Sequence, residues 1–199
     1  MDMNRITRII MTFGLLLSVS ACGSSSPVRY YSLDVLETGY DRDSEESVGF
    51  GVGPLRTPDY LTRSRIVTRG SNSEVIVDDF HRWIEPVDDA IYRIVAANLD
   101  SLIDDVVVVA FPYSHIKELR YRVVGRVDQF DANQSGSVVL LVQWGILTED
   151  SEFMVSPKRA RYETRASNPD DYGSIASAMS EALAEFSRDI VREFEAAVP

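Results

Sequence analysis

Residues 119–148 of this chain read LRYRVVGRVDQFDANQSGSVVLLVQWGILT. Two long apolar-rich stretches, 119–131 and 138–148, are separated by a polar turn at residues 133–136. Such runs on either side of a glycine-containing turn are typical of two antiparallel strands. On the second run the alternate residues are apolar and share one face: Val138, Leu140, Val142, Trp144 and Ile146. We therefore predict a long hairpin with one buried face.

Two segments with helical periodicity are predicted to pack on the sheet. The first begins near Pro86, where Asp88 and Asp89 suit the positive end of the helix dipole. Its apolar stripe is Val87, Ile91, Ile94, Val95, Asn98, Leu99 and Leu102. The second follows a capping segment at residues 168–171. Its stripe, spaced by three and four throughout, is Tyr172, Ile175, Met179, Leu183, Phe186, Ile190 and Phe194.

Shorter strands are predicted elsewhere from alternation or from continuous apolar runs. They are a half-buried strand at 31–35, a strand at 48–53, a hairpin at 65–78, a strand buried on both faces at 106–111 and a last strand at 160–165. The element order is strands, helix, strands, helix. This order predicts an α/β fold, with a single domain formed by a mixed β-sheet and two main helices packed on it.

The first 21 residues have the layout of a secretory signal peptide. Arg5 and Arg8 precede an apolar run at residues 9–19, and small residues follow up to Ala21. The run is too short for an ordinary transmembrane helix. The alternatives are a short membrane anchor and a cytosolic helix with a chance cysteine.

Cys22, the only cysteine in the chain, comes directly after those small residues. This arrangement resembles the bacterial lipobox, which implies cleavage before Cys22, acylation of its thiol by palmitate and other chains, and a lipid-anchored mature protein. Gly23 in the next position favours, by the same resemblance, the outer membrane. Residues 22–28 then form the lipidated cysteine and a short linker, which spans at most about 20 Å when extended. An acylated Cys22 leaves the mature chain without a thiol for a disulfide.

Composition argues against several functional classes. The chain has 199 residues and a net charge of −11, which disfavours nucleic acid or an anionic membrane face as a partner. His81 and His115 are the only histidines, and they form no zinc-binding motif. The nucleophile motif of serine hydrolases is also missing. We therefore expect no catalytic residues, no metal site and no cofactor.

Tyr60, Arg82 and Trp83 are the candidate residues for a partner interface. Tyrosine, arginine and tryptophan are enriched at binding hot spots, and these three lie beside a turn or at the entry to the first helix. The alternative is local packing, with Trp83 buried against the sheet and Tyr60 against the first helix.

Taken together, several short motifs resemble the PqiC/YmbA (paraquat-inducible protein C) family, also described as the auxiliary lipoprotein component of ABC-type transport. They are the lipobox and the motifs at residues 29–33, 57–61, 82–88, 97–99 and 171–172. The match is collinear from Cys22 to about Phe194, and it places the family domain at residues 29–197. The resemblance implies a fold similar to the TolB N-terminal or anticodon-binding-like fold.

The resemblance also implies a function. It predicts a non-enzymatic outer-membrane lipoprotein that faces the periplasm and docks a periplasm-spanning MCE-domain protein and its inner-membrane partner in lipid transport. A symmetric homo-oligomer would match such a ring-forming partner. The alternatives are a lipoprotein regulator of cell-wall synthesis, an auxiliary subunit of another ABC transporter and an envelope hydrolase.

Overall fold

The computed structural model describes residues 26–36, 48–113 and 119–198. The predicted signal peptide, Cys22 and His115 lie outside these residues. The described residues form eight β-strands, which make one mixed sheet, and two α-helices, which pack on one face of that sheet. The strands are β1 (Arg29–Tyr31), β2 (Val48–Arg56), β3 (Arg65–Arg69), β4 (Val75–Trp83), β5 (Val106–Ala110), β6 (Tyr121–Asn133), β7 (Ser137–Thr148) and β8 (Phe153–Arg165). The helices are α1 (Val87–Leu102) and α2 (Tyr172–Ala197), and a short 3₁₀ helix spans Asp59–Thr62.

The predicted long hairpin is confirmed as β6 and β7, and it forms the centre of the sheet. On its other side β6 pairs in parallel with both β2 and β3, whereas β7 continues antiparallel into β8. Beyond β3 the order runs to β4 and β1, and beyond β2 it ends at β5. Gly125 of β6 lies opposite Trp144 of β7, and a Cβ there would come within 2.1 Å of the Gln143 carbonyl oxygen. This position therefore requires a glycine.

The C-terminal helix, α2, has the predicted stripe as its buried face. Asp171 caps it by accepting hydrogen bonds from the backbone amides of Gly173 (3.2 Å) and Ser174 (3.1 Å). From Ile175 to Phe194 every member of the stripe is buried, and Tyr172 is half-buried. The spacing of three and four keeps these side chains on the side of the helix that faces the sheet.

The core lies between α2 and the helix-facing side of β7. The Trp144 and Phe186 rings meet edge-on, with centroids 5.6 Å apart, and both side chains are 0% exposed. At the far end of the helix, Phe194 makes an edge-on contact with Phe50 of β2 at 5.1 Å. The aromatic contacts therefore fasten α2 to strands that are distant from one another in sequence.

Three local expectations were wrong. Residues 32–36 form no strand, because their backbone amides bond to helix side chains: Asp34 donates to Ser180 Oγ (3.0 Å) and Leu36 to Asn98 Oδ1 (2.8 Å). The strand at 106–110 is not buried on both faces: it is β5, an edge strand of the sheet formed by the described residues, and its Val107 is 39% exposed. The second strand of the predicted 65–78 hairpin does not end at residue 78 but continues to Trp83 as β4, and α1 begins at Val87, with Pro86 as its N-cap.

Replacing Phe186 by alanine tests the role of the aromatic core. We expect Phe186→Ala to lower the free energy of unfolding by about 3–5 kcal/mol, because the site is fully buried and cannot easily collapse. Arg188→Ala, on the exposed side of the same helix, should change it by less than about 1 kcal/mol, since it removes only an exposed ion pair with Glu181. Urea unfolding followed by tryptophan fluorescence measures both. A cost below 1 kcal/mol for Phe186→Ala would contradict the packing described.

Candidate functional site

Arg82 and Trp83 are neighbours on β4, and the strand turns them to opposite faces. Trp83 points into the core and is 5% exposed. It lies at a small gap that is also lined by Leu61, Val87, Phe130 and Met179. In the single chain Trp83 therefore packs in the core, which was the alternative to a role at an interface. Arg82 lies on the outer side of the sheet.

Tyr60 is half-buried and belongs to a polar cluster around Asp131, which is 2% exposed. The Tyr60 hydroxyl donates to Asp131 Oδ2 (2.7 Å) and accepts a hydrogen bond from the Phe130 amide (3.0 Å). Arg69 Nε and Gln129 Nε2 both donate to Asp131 Oδ1, at 2.7 and 2.8 Å. The cluster joins the 3₁₀ helix to β3 and β6, so Tyr60 has a clear structural role.

The electrostatics of this cluster keep Tyr60 protonated. Burial raises the pKa of Tyr60 well above its usual value; the Phe130 amide opposes the rise, and the Asp131 carboxylate adds to it. The hydrogen bond to Asp131 likewise raises the pKa of Arg69. Tyr60 therefore acts as a permanent hydrogen-bond donor to a buried carboxylate, and not as an acid or a base near neutral pH.

A second cluster forms where β1, β4 and the start of α2 meet. Asp78 Oδ1 accepts hydrogen bonds from the backbone amides of Phe80 and His81, each at 2.7 Å, and lies 2.8 Å from His81 Nδ1. The Tyr172 hydroxyl donates to Asp78 Oδ2 at 3.0 Å. The His81 and Tyr172 rings stack, with centroids 4.1 Å apart, and Tyr31 packs beside both. Sequence analysis missed this cluster because its members come from three separate elements.

The pKa values in this second cluster reflect its hydrogen bonds. Partial burial acts to raise the pKa of Asp78, but the hydrogen bonds from His81, Phe80 and Tyr172 outweigh it, so the pKa lies below its ordinary value of 3.8. Burial and the bond to Asp78 raise the pKa of Tyr172 to about 12. The Asp78–His81 pair therefore links β4 to the start of α2 through the Tyr172 side chain.

The side of the sheet turned away from α1 and α2, here called the open face, carries a row of basic residues. Cross-strand register places Arg56 beside Arg126, Arg126 beside Gln143 and Gln143 beside Arg159. Asp128 lies between two of them, 2.6 Å from Arg126 Nε and 3.4 Å from an Arg159 amino group. We call Arg56, Arg126, Gln143 and Arg159 the arginine row.

The arginine row borders a shallow cleft of about 270 Å³. Arg56, Arg126 and Gln143 line it together with apolar groups from Phe153 and Pro157. Arg56 has no carboxylate partner among the described residues, and its side chain lines the cleft. The row consists of single residues from four strands, and only strand order and register bring them together.

The described residues contain no group of three or more histidine, cysteine or acidic side chains that could hold a metal ion. No helix in the same residues is long and apolar enough to cross a membrane. The arrangement that remains is a sheet with helices on one face and an open face that mixes arginines with apolar groups. Such a surface is suited to recognition.

Comparison with known proteins identifies relatives over nearly the whole domain. The profile of a family described as "ABC-type transport auxiliary lipoprotein component" matches residues 31–191. "Intermembrane transport lipoprotein PqiC" of Escherichia coli strain K12 is 21% identical over 179 residues, which cover 88% of this chain and 94% of that protein. A protein of the same name from Shigella flexneri matches to the same extent.

Solved structures show the same fold. A crystal structure of an uncharacterized protein superposes with a TM-score of 0.70 at 20% identity, covering 85% of this chain and 99% of that one. The crystal structure of protein XCC0632 from Xanthomonas campestris gives a TM-score of 0.63 at 17% identity, covering 82% and 92%. These likenesses support the α/β fold of one mixed sheet and two helices.

The Tyr60–Asp131 cluster can be tested with a single hydroxyl. Tyr60→Phe should lower the free energy of unfolding by about 1–3 kcal/mol, because it removes a donor to a buried carboxylate and leaves the Phe130 amide unpaired. Tyr30→Phe is the matched control: Tyr30 is 58% exposed, and its hydroxyl has no partner among the described residues. The control should lie within about 0.5 kcal/mol of the wild type. Equal effects in the two variants would contradict a structural role for the Tyr60 hydroxyl.

The Asp78 cluster predicts a dependence of stability on pH. Because the folded pKa of Asp78 lies below 3.8, its ionised form stabilises the fold above that pH, and the contribution is lost as the pH falls through the folded pKa. Asp78→Asn should cost about 1–2 kcal/mol at neutral pH and progressively less below pH 4. Asp79→Asn should cost little at either pH, since the Asp79 side chain is 70% exposed. Unfolding curves at pH 7 and pH 3 test this, and a cost of Asp78→Asn that does not change with pH would refute it.

Proposed function

This chain belongs to the family of ABC-type transport auxiliary lipoprotein components, and on that premise we propose that it is a lipid-anchored, non-enzymatic component of an intermembrane lipid transport system at the outer membrane. The observation that carries the proposal is the family match, which spans residues 31–191 and so includes nearly all of the folded domain. The relative PqiC, named an intermembrane transport lipoprotein, supports the same class of function.

The proposed anchor is an acylated Cys22. The described structure begins at residue 26, and the first strand, β1, begins at Arg29. The chain between Cys22 and β1 is therefore short, and it holds the domain close to the membrane that contains the acyl chains. Several acyl chains on one residue give durable attachment, whereas a single chain gives only weak and reversible binding. A long-reaching regulator of cell-wall synthesis fits such a short linker poorly.

The proposed role is to dock an MCE-domain protein that spans the periplasm, together with its inner-membrane partner. Of the three residues predicted for the interface, Tyr60 and Trp83 support the fold from within, and Arg82 reaches the outer side of the sheet. We place the docking contact on the arginine row. Its unpaired Arg56 and its apolar cleft favour a partner surface that presents carboxylates beside apolar groups.

A symmetric homo-oligomer remains part of this proposal, because a ring-forming partner favours matched symmetry. Light scattering on the detergent-solubilised, acylated protein measures the oligomeric state directly. A protein that stays monomeric at high concentration would refute the homo-oligomer. That result would not bear on the lipid anchor or on the docking role.

The test of the docking role is co-purification from envelopes solubilised in mild detergent. Tagged wild-type protein should retain an MCE-domain protein, and the double variant Arg56→Ala/Arg159→Ala should retain much less at moderate salt. Arg188→Ala/Arg192→Ala, on α2, is the control for a general loss of positive charge. Cys22→Ala should lose acylation and leave the outer-membrane fraction. Repeated absence of an MCE protein from the wild-type sample would refute the docking role, and unchanged membrane association of Cys22→Ala would refute the anchor.

A further inference from the structure

Four large apolar side chains are exposed together at β1 and the end of β4. The exposed fractions are 39% for Val28, 58% for Tyr30, 42% for Phe80 and 63% for Ile84. Exposed apolar residues are ordinary when scattered, but a contiguous group of them marks a surface that meets another apolar phase.

Strand register shows that these side chains share the open face. The parallel pairing of β1 and β4 places Tyr30 beside Arg82 and Tyr31 beside Trp83. Tyr31 and Trp83 point to the helix side, so Tyr30 and Arg82 point away from it. The same alternation puts Phe80 on the outer side, and the exposed Val28 and Ile84 directly flank the two strands, with the Ile84 amide donating to the Tyr31 carbonyl (2.8 Å). We call Val28, Tyr30, Phe80, Arg82 and Ile84 the β1–β4 patch.

The charges around the patch are basic. Arg82 has no carboxylate partner among the described residues; Arg29, which also has none there, lies on the other face of β1 from Tyr30. Arg82 Nε is buried and has no hydrogen-bond partner in the part of the chain that the structure describes. Arg65 lies opposite Arg82 on β3 and pairs with the exposed Asp79 at 3.3 Å. Exposed apolar and aromatic groups next to an unpaired arginine match the chemistry of a lipid headgroup region, where phosphates lie above acyl chains.

The position of the patch in the chain indicates which surface is within reach. Val28 is six residues from Cys22, so the two Cα atoms are at most about 20 Å apart. Phe153 on β8 and Val107 on β5 are also exposed, at 50% and 39%, but each lies five strand positions from β1. With neighbouring strands about 4.8 Å apart, β5 and β8 each lie roughly 24 Å from β1 across the sheet. A membrane that holds Cys22 is therefore next to the β1–β4 patch, at a high effective concentration.

We propose that the β1–β4 patch rests on the phospholipid leaflet that holds the acyl chains of Cys22. Tyr30, Phe80 and Ile84 enter the interfacial region, and Arg82 contacts lipid phosphates. The inference rests on the lipid anchor of the proposed function. It adds an orientation: the β1–β4 end of the sheet lies against the membrane, and the β8 end, with Arg159 of the arginine row, is directed away from it.

The test uses the acylated protein in vesicles of phosphatidylethanolamine and phosphatidylglycerol. Because Cys22 is the only cysteine and acylation blocks its thiol, an added cysteine is the one reactive thiol. Ile84→Cys and Phe153→Cys, labelled with an environment-sensitive dye, are matched by their high exposure, 63% and 50%. Doxyl groups near the top of the lipid acyl chains should quench the dye at position 84 several times more strongly than the dye at position 153. Adding Tyr30→Ser and Phe80→Ser to Ile84→Cys should reduce that quenching.

Three other outcomes would contradict the proposed membrane contact, and each has a different meaning. Equal quenching at the two positions, in protein shown by mass to be acylated, refutes the membrane contact but leaves the anchor intact. A benzophenone at position 84 that crosslinks to a second copy or to another protein, and not to lipid, assigns the patch to a protein interface. If the purified protein carries no acyl group on Cys22, both the lipid anchor and the membrane contact of the β1–β4 patch are refuted. Melting temperatures close to wild type confirm that the labelled variants fold.

Discussion

The edge-on contact between Trp144 and Phe186 is the interaction on which the rest of the domain depends. It joins the middle of the central hairpin to the middle of α2, and neither side chain is exposed to solvent. Gly125 leaves room for the β7 backbone to approach at this point. With α2 held here, Tyr172 reaches Asp78 at one end of the helix and Phe194 reaches Phe50 at the other. One aromatic contact thus aligns the helix with elements from both halves of the chain.

Two carboxylate clusters, one around the buried Asp131 and one around the partly buried Asp78, link elements that are separate in sequence. Asp131 ties the 3₁₀ helix and β3 to β6, and Asp78 ties β4 to the start of α2. Each carboxylate has several donors, which a buried charge requires. Both clusters therefore hold separate elements of the fold together.

Strand β4 shows how one segment serves two purposes. Its period of two sends Trp83 to the core and Arg82 to the surface. The same alternation in β1 separates Tyr31, which packs beside His81 and Tyr172, from the exposed Tyr30. A sequence motif that spans such residues therefore mixes packing with surface chemistry, and each residue must be assigned by the face on which it lies.

The sequence by itself determined the long hairpin, the two helices and the Asp171 cap, because alternation, helical spacing and capping depend on residues close together in the chain. It could not show that 32–36 is held by helix side chains, since the Ser180 and Asn98 partners are distant in sequence, or that β5 is an edge strand, since an apolar run looks the same at the centre of a sheet and at its edge. The tertiary structure alone decided the Asp78 and Asp131 clusters, the arginine row and the β1–β4 patch. Their members lie far apart in sequence, and only strand order and register bring them together.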